Sequence, residues 1–179
     1  MKKIPYNFLG IPEVSFKKAR FAILPIPFEA TTSCLTGTRE GPFAIISASN
    51  YLELYDEELD AEPYLAGITT LPQEPPDYKS LKQMAFRIKR TAARCIKDNK
   101  IIVGLGGEHT VSLGIVEAYH QKYPDIKVIS FDAHADLRNS YQGTKYSHAC
   151  VMRRILEQGI EAYLAGVRSI SKQEKEYLE

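Results

Sequence analysis

Short apolar runs alternate along the chain with segments in which apolar residues recur at helical spacing. Continuous apolar runs are typical of parallel strands that are covered on both faces. Pro25 and Pro27 end the first such run, because proline cannot donate a hydrogen bond to a sheet. The pattern predicts three strands, at residues 21–27, 101–105 and 127–131, and allows one more within 64–70.

Helical spacing is clearest between residues 79 and 98, where apolar side chains follow the 3,4 repeat of one helix face from Leu81 to Ile96. A second helix is predicted from Pro42 to about residue 54, since proline fits the first helical position. A third is predicted over residues 111–122. Ser147 is a candidate N-cap for a fourth.

Strands that alternate with helices of this length form parallel βαβ units. We therefore expect one α/β domain over residues 1–179, folded as a three-layer α/β/α sandwich around a mainly parallel sheet. Ligands of such folds bind beyond the carboxyl ends of the strands. Functional residues are therefore expected in the segments that directly follow each strand.

Candidate metal ligands follow the third strand in the sequence DAHAD. Because side chains alternate in an extended segment, Asp132, His134 and Asp136 are expected to point to one side. Two neighbouring carboxylates repel each other unless a cation neutralises them. Imidazole with carboxylate suits manganese, zinc or iron, and the excess of oxygen ligands favours manganese. The alternative is a solvated loop with a capping aspartate.

Two further histidines are candidates. His109 ends GLGGEH, whose glycines would let the backbone pack closely enough for the imidazole to reach DAHAD from a neighbouring strand. The motif lacks the spacing of a dinucleotide-binding or P-loop fingerprint. His148 follows Ser147, where a neutral imidazole can act as a general acid or proton shuttle. The alternative is a partly exposed surface histidine.

Charge and composition exclude several classes of partner. The 23 Lys and Arg residues nearly balance the 22 Asp and Glu residues, for a formal charge of +1, so no nucleic-acid partner is expected. No apolar run is long enough to span a membrane, and the first residues, from Met1 to Asn7, do not resemble an export signal. Three dispersed cysteines without a CxxC pattern fit a reducing cytoplasm better than a disulfide framework.

Taken together, GGEHT, SFDAHADLR and YSHACVMRRI resemble the ureohydrolase family, the arginase and agmatinase group, and the match is closest to the agmatinases. The resemblance implies two Mn²⁺ ions bridged by a hydroxide that attacks a guanidinium carbon and releases urea. The implied substrate is agmatine and the product putrescine, a step of polyamine biosynthesis. Homotrimers or hexamers are also implied. Carried over by motif, the metal ligands are His109, Asp132, His134 and Asp136, and the proton shuttle is His148.

The family pattern continues with a later pair of aspartates and a glutamate that pairs with the guanidinium, and neither occurs before Glu179. A capping-box sequence at Ser171 to Glu174 predicts a helix that has room for only about eight residues. We therefore expect the N-terminal part of a ureohydrolase domain, with an exposed apolar sheet edge and no agmatine hydrolysis by this chain alone. Alternatives are a non-catalytic relative that keeps a metal-binding or oligomer-forming surface, a guanidinobutyrase, an arginase, and an amide deacetylase built on a similar sheet.

Overall fold

The computed structural model describes residues 6–179. The interpretation of the first residues as lacking an export signal therefore falls largely outside the described part. Strands and helices alternate as expected. The strands are β1 (Phe21–Ile26), β2 (Ile68–Thr70), β3 (Ile101–Gly106), β4 (Lys127–Phe131) and β5 (Glu161–Ala165). The helices are α1 (Gly41–Ser49), α2 (Leu81–Lys97), α3 (Val111–Lys122), α4 (Val151–Leu156) and α5 (Lys172–Leu178).

All strand pairs are parallel, which confirms the predicted α/β class, but the strands lie in two sheets. In the first sheet β1 lies between β2 and β3, and in the second β4 pairs with β5. Within residues 6–179, β3 and β4 therefore do not pair. On β4, Ile129 is 63% exposed and Phe131 85% exposed. These two side chains, at alternate positions, form an exposed apolar face of the second sheet.

Helices α2 and α3 pack against each other on one side of the first sheet. Ser80 caps α2, and its Oγ accepts a hydrogen bond from the Gln83 N–H. The apolar face of α2 is buried as its 3,4 spacing predicts, at Met84, Ala85, Ile88, Ala92, Cys95 and Ile96. Gly114 of α3 permits the close approach, since a Cβ there would lie 2.4 Å from the Ala85 carbonyl oxygen.

The two faces of the first sheet are covered by different parts of the chain. Ala22 and Ile102 pack with α2 residues on one face. The alternate positions, Ile23 and Val103, line an apolar hollow of about 470 Å³ on the other face, together with residues of the long segment between α1 and β2. Because side chains alternate along β1 and β3, helices α2 and α3 cover one face of the sheet and that segment covers the other.

Several local predictions need correction. Helix α1 ends at Ser49 and not near residue 54. Ser147 does not cap α4: it precedes a 3₁₀ turn at His148–Cys150, and its hydroxyl donates to Cys150 Sγ. The short strand expected within 64–70 is β2, and a 3₁₀ turn at Pro63–Ala66 comes before it.

Candidate metal centre and active site

A cavity of about 520 Å³ lies where the segments after β1, β3, β4 and β5 meet. Each of these segments follows the carboxyl end of its strand, which is where parallel α/β sheets bind ligands. The polar lining includes His109, Asp132, Asp136, His148 and Glu174. The candidate residues of the sequence therefore lie around one cavity, although they come from two different sheets.

Close backbone packing positions His109. Gly107 has a φ of +60°, and a Cβ there would lie 2.5 Å from the Phe28 carbonyl oxygen. The next residue, Glu108, donates its backbone N–H to the same oxygen at 2.9 Å. The segment after β3 is thus held against the segment after β1, as the glycines of GLGGEH predict.

Three ligand groups converge in this cavity. His109 Nδ1 lies 2.6 Å from Asp136 Oδ2 and 3.5 Å from Asp132 Oδ2. One ligand atom from each residue lies within 4.8 Å of the other two. An imidazole and two carboxylates at this spacing can bind one divalent cation, and the donor set fits manganese, zinc or iron. His109, Asp132 and Asp136 would supply three of the donors of such a metal.

His134 lies outside this convergent group. Its side chain is 64% exposed, and its Nδ1 lies 3.4 Å from Asp132 Oδ1. His134 nevertheless lines the same cavity as Asp132 and Asp136. Asp136 has a φ of +49°, which turns the chain out of an extended conformation. Ala135 and Leu137, on either side, are both core residues.

The imidazole of His148 is held by a buried hydrogen-bond network. Its Nδ1 lies 3.2 Å from Thr31 Oγ1, and its backbone N–H donates to the same oxygen. Thr31 donates its hydroxyl hydrogen to Glu108 Oε1 at 2.9 Å. Since that hydroxyl has only one hydrogen, Nδ1 must be the donor toward Thr31. The unshared pair of a neutral His148 is then on Nε2.

Glu108 anchors this network. Its side chain is buried and accepts hydrogen bonds from the backbone N–H groups of Ala30 and Thr31, both at 2.7 Å, and from the hydroxyls of Thr31 and Thr110. These four hydrogen bonds satisfy the Glu108 carboxylate, so it needs no cation as a partner. The segment after β1 and the start of α3 are therefore fixed together beneath His148.

Glu174 performs a similar task on the other side of the cavity. Its carboxylate closes the capping box of α5 with Ser171 and also accepts from the Leu137 N–H at 2.9 Å. Burial by itself raises the pKa of Glu174, but the hydrogen bonds from Ser171 and Leu137, with the charge of Arg138, together hold that pKa below its usual value. Helix α5 is thereby tied to the residue that follows Asp136.

Sequence reasoning did not assign roles to Thr31, Glu108 or Glu174. Glu108 stands inside the GGEH motif, and Glu174 completes the capping box that predicts α5. An acidic residue directly after a buried strand was an available signal for Glu108. No local pattern indicates that Thr31 contacts His148, because 117 residues separate them.

A family model described as the Arginase family matches residues 19–179. The N(1)-aminopropylagmatine ureohydrolase of a Synechocystis strain is 35% identical, over 97% of this chain and 59% of that protein. The protein of the same name from Thermococcus kodakarensis is 41% identical, over 94% of this chain and 58% of that protein. The chain thus spans less than two thirds of the length of these relatives.

Solved structures agree with the sequence comparison. The agmatine ureohydrolase of Thermoplasma volcanium superposes with a TM-score of 0.85 at 30% identity, over 91% of this chain and 55% of that one.

No helix within residues 6–179 combines the length and the apolar character that crossing a membrane requires.

Proposed function

The chain belongs to the arginase family, and from this premise we propose that it supplies part of the active site of a manganese-dependent ureohydrolase. The proposed reaction adds water to the guanidinium carbon of a linear guanidino compound and yields urea and an amine. The observation that carries the proposal is the convergence of His109, Asp132 and Asp136 beside His148 in one cavity.

We favour agmatine as the substrate and putrescine as the amine product. N(1)-aminopropylagmatine is the second candidate, because four relatives that match more than nine tenths of this chain carry that substrate in their names. Both compounds join a guanidinium group to an aliphatic amine, so the same hydrolysis applies to each. The two differ in what extends from the far end of the substrate.

Two Mn²⁺ ions are proposed for the complete site, where they would polarise the guanidinium and lower the pKa of water. His109, Asp132 and Asp136 would hold them, with His134 joining after a rotation of its exposed side chain. Negative charge from the two aspartates offsets the charge of a cation in a partly buried site.

His148 is proposed as the group that carries a proton to the leaving amine. Thr31 and Glu108 fix its Nδ1 as a donor, so Nε2 is the nitrogen that accepts and releases the proton on the cavity side. A ring fixed in one orientation loses little conformational entropy in the reaction. Location in the cytoplasm and a homo-oligomeric assembly complete the proposal.

Metal titration of the purified chain tests the proposed site. We expect the chain to bind at most one Mn²⁺, weakly; binding is measured as the loss of the electron paramagnetic resonance signal of free Mn²⁺. We expect Asp136→Asn to abolish that binding. Asp125→Asn, at an exposed aspartate, is the matched control. Binding that survives Asp136→Asn and Asp132→Asn together would show that the metal lies elsewhere.

A urea-release assay with excess Mn²⁺ tests whether this chain alone is catalytically active, as distinct from only binding metal. We expect no turnover of agmatine above background by this chain alone, because the family pattern includes further carboxylates that it lacks. Turnover of about 1 per second or more would show that these residues are sufficient. A chain that binds no Mn²⁺ would favour a non-catalytic relative that keeps only an oligomer-forming surface.

A further inference from the structure

The loop that follows DAHAD contributes to the wall of the cavity and is held at its start by two contacts. The Arg138 backbone N–H donates to the Ala149 carbonyl at 3.0 Å, which places the start of the loop beside His148. Asn139 Oδ1 accepts a hydrogen bond at 3.1 Å from Arg154, a buried residue of α4. The loop therefore follows a fixed path next to the imidazole.

Tyr141 lies at a tight turn of this loop. Its N–H donates to the Thr144 carbonyl at 2.9 Å, and its carbonyl accepts from the Thr144 N–H at 3.1 Å. The two central residues, Gln142 and Gly143, have φ values of +49° and +78°, as a type I′ turn requires. Because these hydrogen bonds join backbone atoms, the turn does not depend on the Tyr141 ring, which lines the cavity.

The ring of Tyr141 contacts the imidazole of His148. The two ring centroids are 5.6 Å apart and the ring planes are 89° apart, which is an edge-to-face pair. The hydrogen bond from Nδ1 to Thr31 fixes one atom of the imidazole and leaves the plane of the ring free to tilt. The Tyr141 ring restricts that tilt, because the edge-to-face geometry is lost when either plane rotates.

Arg138 holds the ring of Tyr141 in turn. Its guanidinium carbon lies 5.3 Å from the centroid of that ring, within the distance of a cation–π interaction. Arg138 forms no salt bridge within residues 6–179, so no ion pair there competes with the ring for the guanidinium. Arg138, Tyr141 and His148 are thus in contact one after another along the cavity wall.

We propose that Tyr141 is a positioning residue for His148: its ring fixes the plane of the imidazole, while Thr31 fixes which nitrogen carries the hydrogen. The catalytic consequence rests on the proposed function of His148 in proton transfer. Proton transfer requires the nitrogen to lie within hydrogen-bond reach of the reacting group. A tilted imidazole should therefore slow the reaction without weakening substrate binding. Arg138 acts through Tyr141.

Nuclear magnetic resonance of the purified chain tests the contact without metal or turnover. The chain has four histidines, and His148→Gln assigns the signals of His148 by their loss. Tyr141→Leu should lower the order parameter of the His148 ring from about 0.85, the value of rigid protein segments, to about 0.6 or less. Tyr141→Phe keeps an aromatic ring and should retain the order. Tyr51→Leu, at a tyrosine that is 86% exposed, is the matched control and should leave the His148 signals unchanged.

The position of the hydrogen separates the role of Tyr141 from that of Thr31. Neutral His148 should keep its hydrogen on Nδ1 in Tyr141→Leu, because Thr31 is still its acceptor. Thr31→Val removes that acceptor and should change the ¹⁵N shifts that report the tautomer. A change of tautomer in Tyr141→Leu would contradict this division of roles.

Kinetics in an active protein that contains this chain tests the catalytic consequence. Tyr141→Leu should lower kcat about tenfold or more and leave KM within about twofold, with Mn²⁺ content unchanged. Tyr141→Phe should retain kcat. Unchanged kcat in Tyr141→Leu would overturn the catalytic consequence. Full turnover by His148→Ala would instead refute the proposed function, and the order parameter would still decide whether Tyr141 orients the ring.

Two results of the resonance experiment would overturn the proposal. One is an equal order parameter of His148 in Tyr141→Leu and the original chain, which would assign the orientation to Thr31 alone. The other is an equal loss of order in Tyr141→Phe, which would assign it to the Tyr141 hydroxyl. If circular dichroism shows that Tyr141→Leu misfolds, Arg138→Gln decides: it removes the cation from the Tyr141 ring and should lower the order of His148, whereas Arg138→Lys should not. Unchanged order in Arg138→Gln would then overturn the proposal.

Discussion

Replacing Glu174 with alanine should destabilise the fold although the residue lies near the end of the chain. Its buried carboxylate accepts hydrogen bonds from the N–H groups of Leu137 and Ser171 and from the Ser171 hydroxyl. Leu137 is itself a core residue. The substitution removes an acceptor from a buried amide and opens the capping box of α5 in the same step.

The expected magnitude follows from these contacts. A buried N–H that loses its acceptor costs about 1–3 kcal/mol, and a lost cap contact about 1 kcal/mol. We therefore expect a free energy of unfolding lower by about 2–4 kcal/mol, from a total that is typically about 5–15 kcal/mol. Glu176→Ala, on the same helix, removes only an exposed ion pair with Lys172 and should change stability by about 0.5 kcal/mol or less.

Urea denaturation at several pH values measures the effect. The pKa of Glu174 is lowered in the folded state, so its charge stabilises the fold at pH values above the unfolded-state pKa. That contribution is lost as the pH falls through the lowered folded-state pKa. The difference between the original chain and Glu174→Ala should accordingly be largest near neutral pH and shrink in acid. Equal stability of Glu174→Ala and Glu176→Ala at neutral pH would refute this reasoning.

Three further outcomes are expected. Glu108→Ala should lower the free energy of unfolding by about 3 kcal/mol in urea denaturation, because two backbone N–H groups and two hydroxyls lose their acceptor. Gly114→Ala should lower the free energy of unfolding, measured by calorimetry, by about 1–3 kcal/mol, because the added Cβ would lie 2.4 Å from the Ala85 carbonyl oxygen. In an active protein that contains this chain, His148→Ala should reduce turnover about 10²–10⁴-fold while Mn²⁺ content holds; loss of metal instead would assign His148 to the ligands.

Local periodicity predicted the secondary structure because each signal lies within a few residues. Helix α3 occupies the predicted residues 111–122, and α2 differs from its predicted range by two residues at the start and one at the end. The pairing of strands was harder to predict from the sequence. Whether β3 pairs with β4 depends on contacts between distant segments, and an apolar run does not specify its neighbour.

The candidate site was predicted in its composition and less well in its geometry. His109, Asp132 and Asp136 stand out because imidazole and carboxylate follow apolar strands. The positive φ of Asp136 could not be inferred from alternation, although aspartate tolerates this conformation better than most residues. The reason given for the convergence of His109 with DAHAD was wrong, since their strands are not neighbours within residues 6–179.

The network beneath His148 also bears on how the chain folds. Thr31 and Glu108 are 77 residues apart, and Thr31 and His148 are 117 apart. Contacts over such distances close large loops, and the chain loses the conformational entropy of loop closure before the contacts stabilise the fold. Helix α2 and the turns can form early from local contacts, whereas the ring of His148 acquires its orientation only when three remote segments have met. The proposed active site therefore depends on some of the least local contacts of the molecule, and an ordered His148 is a sign that folding has reached its end.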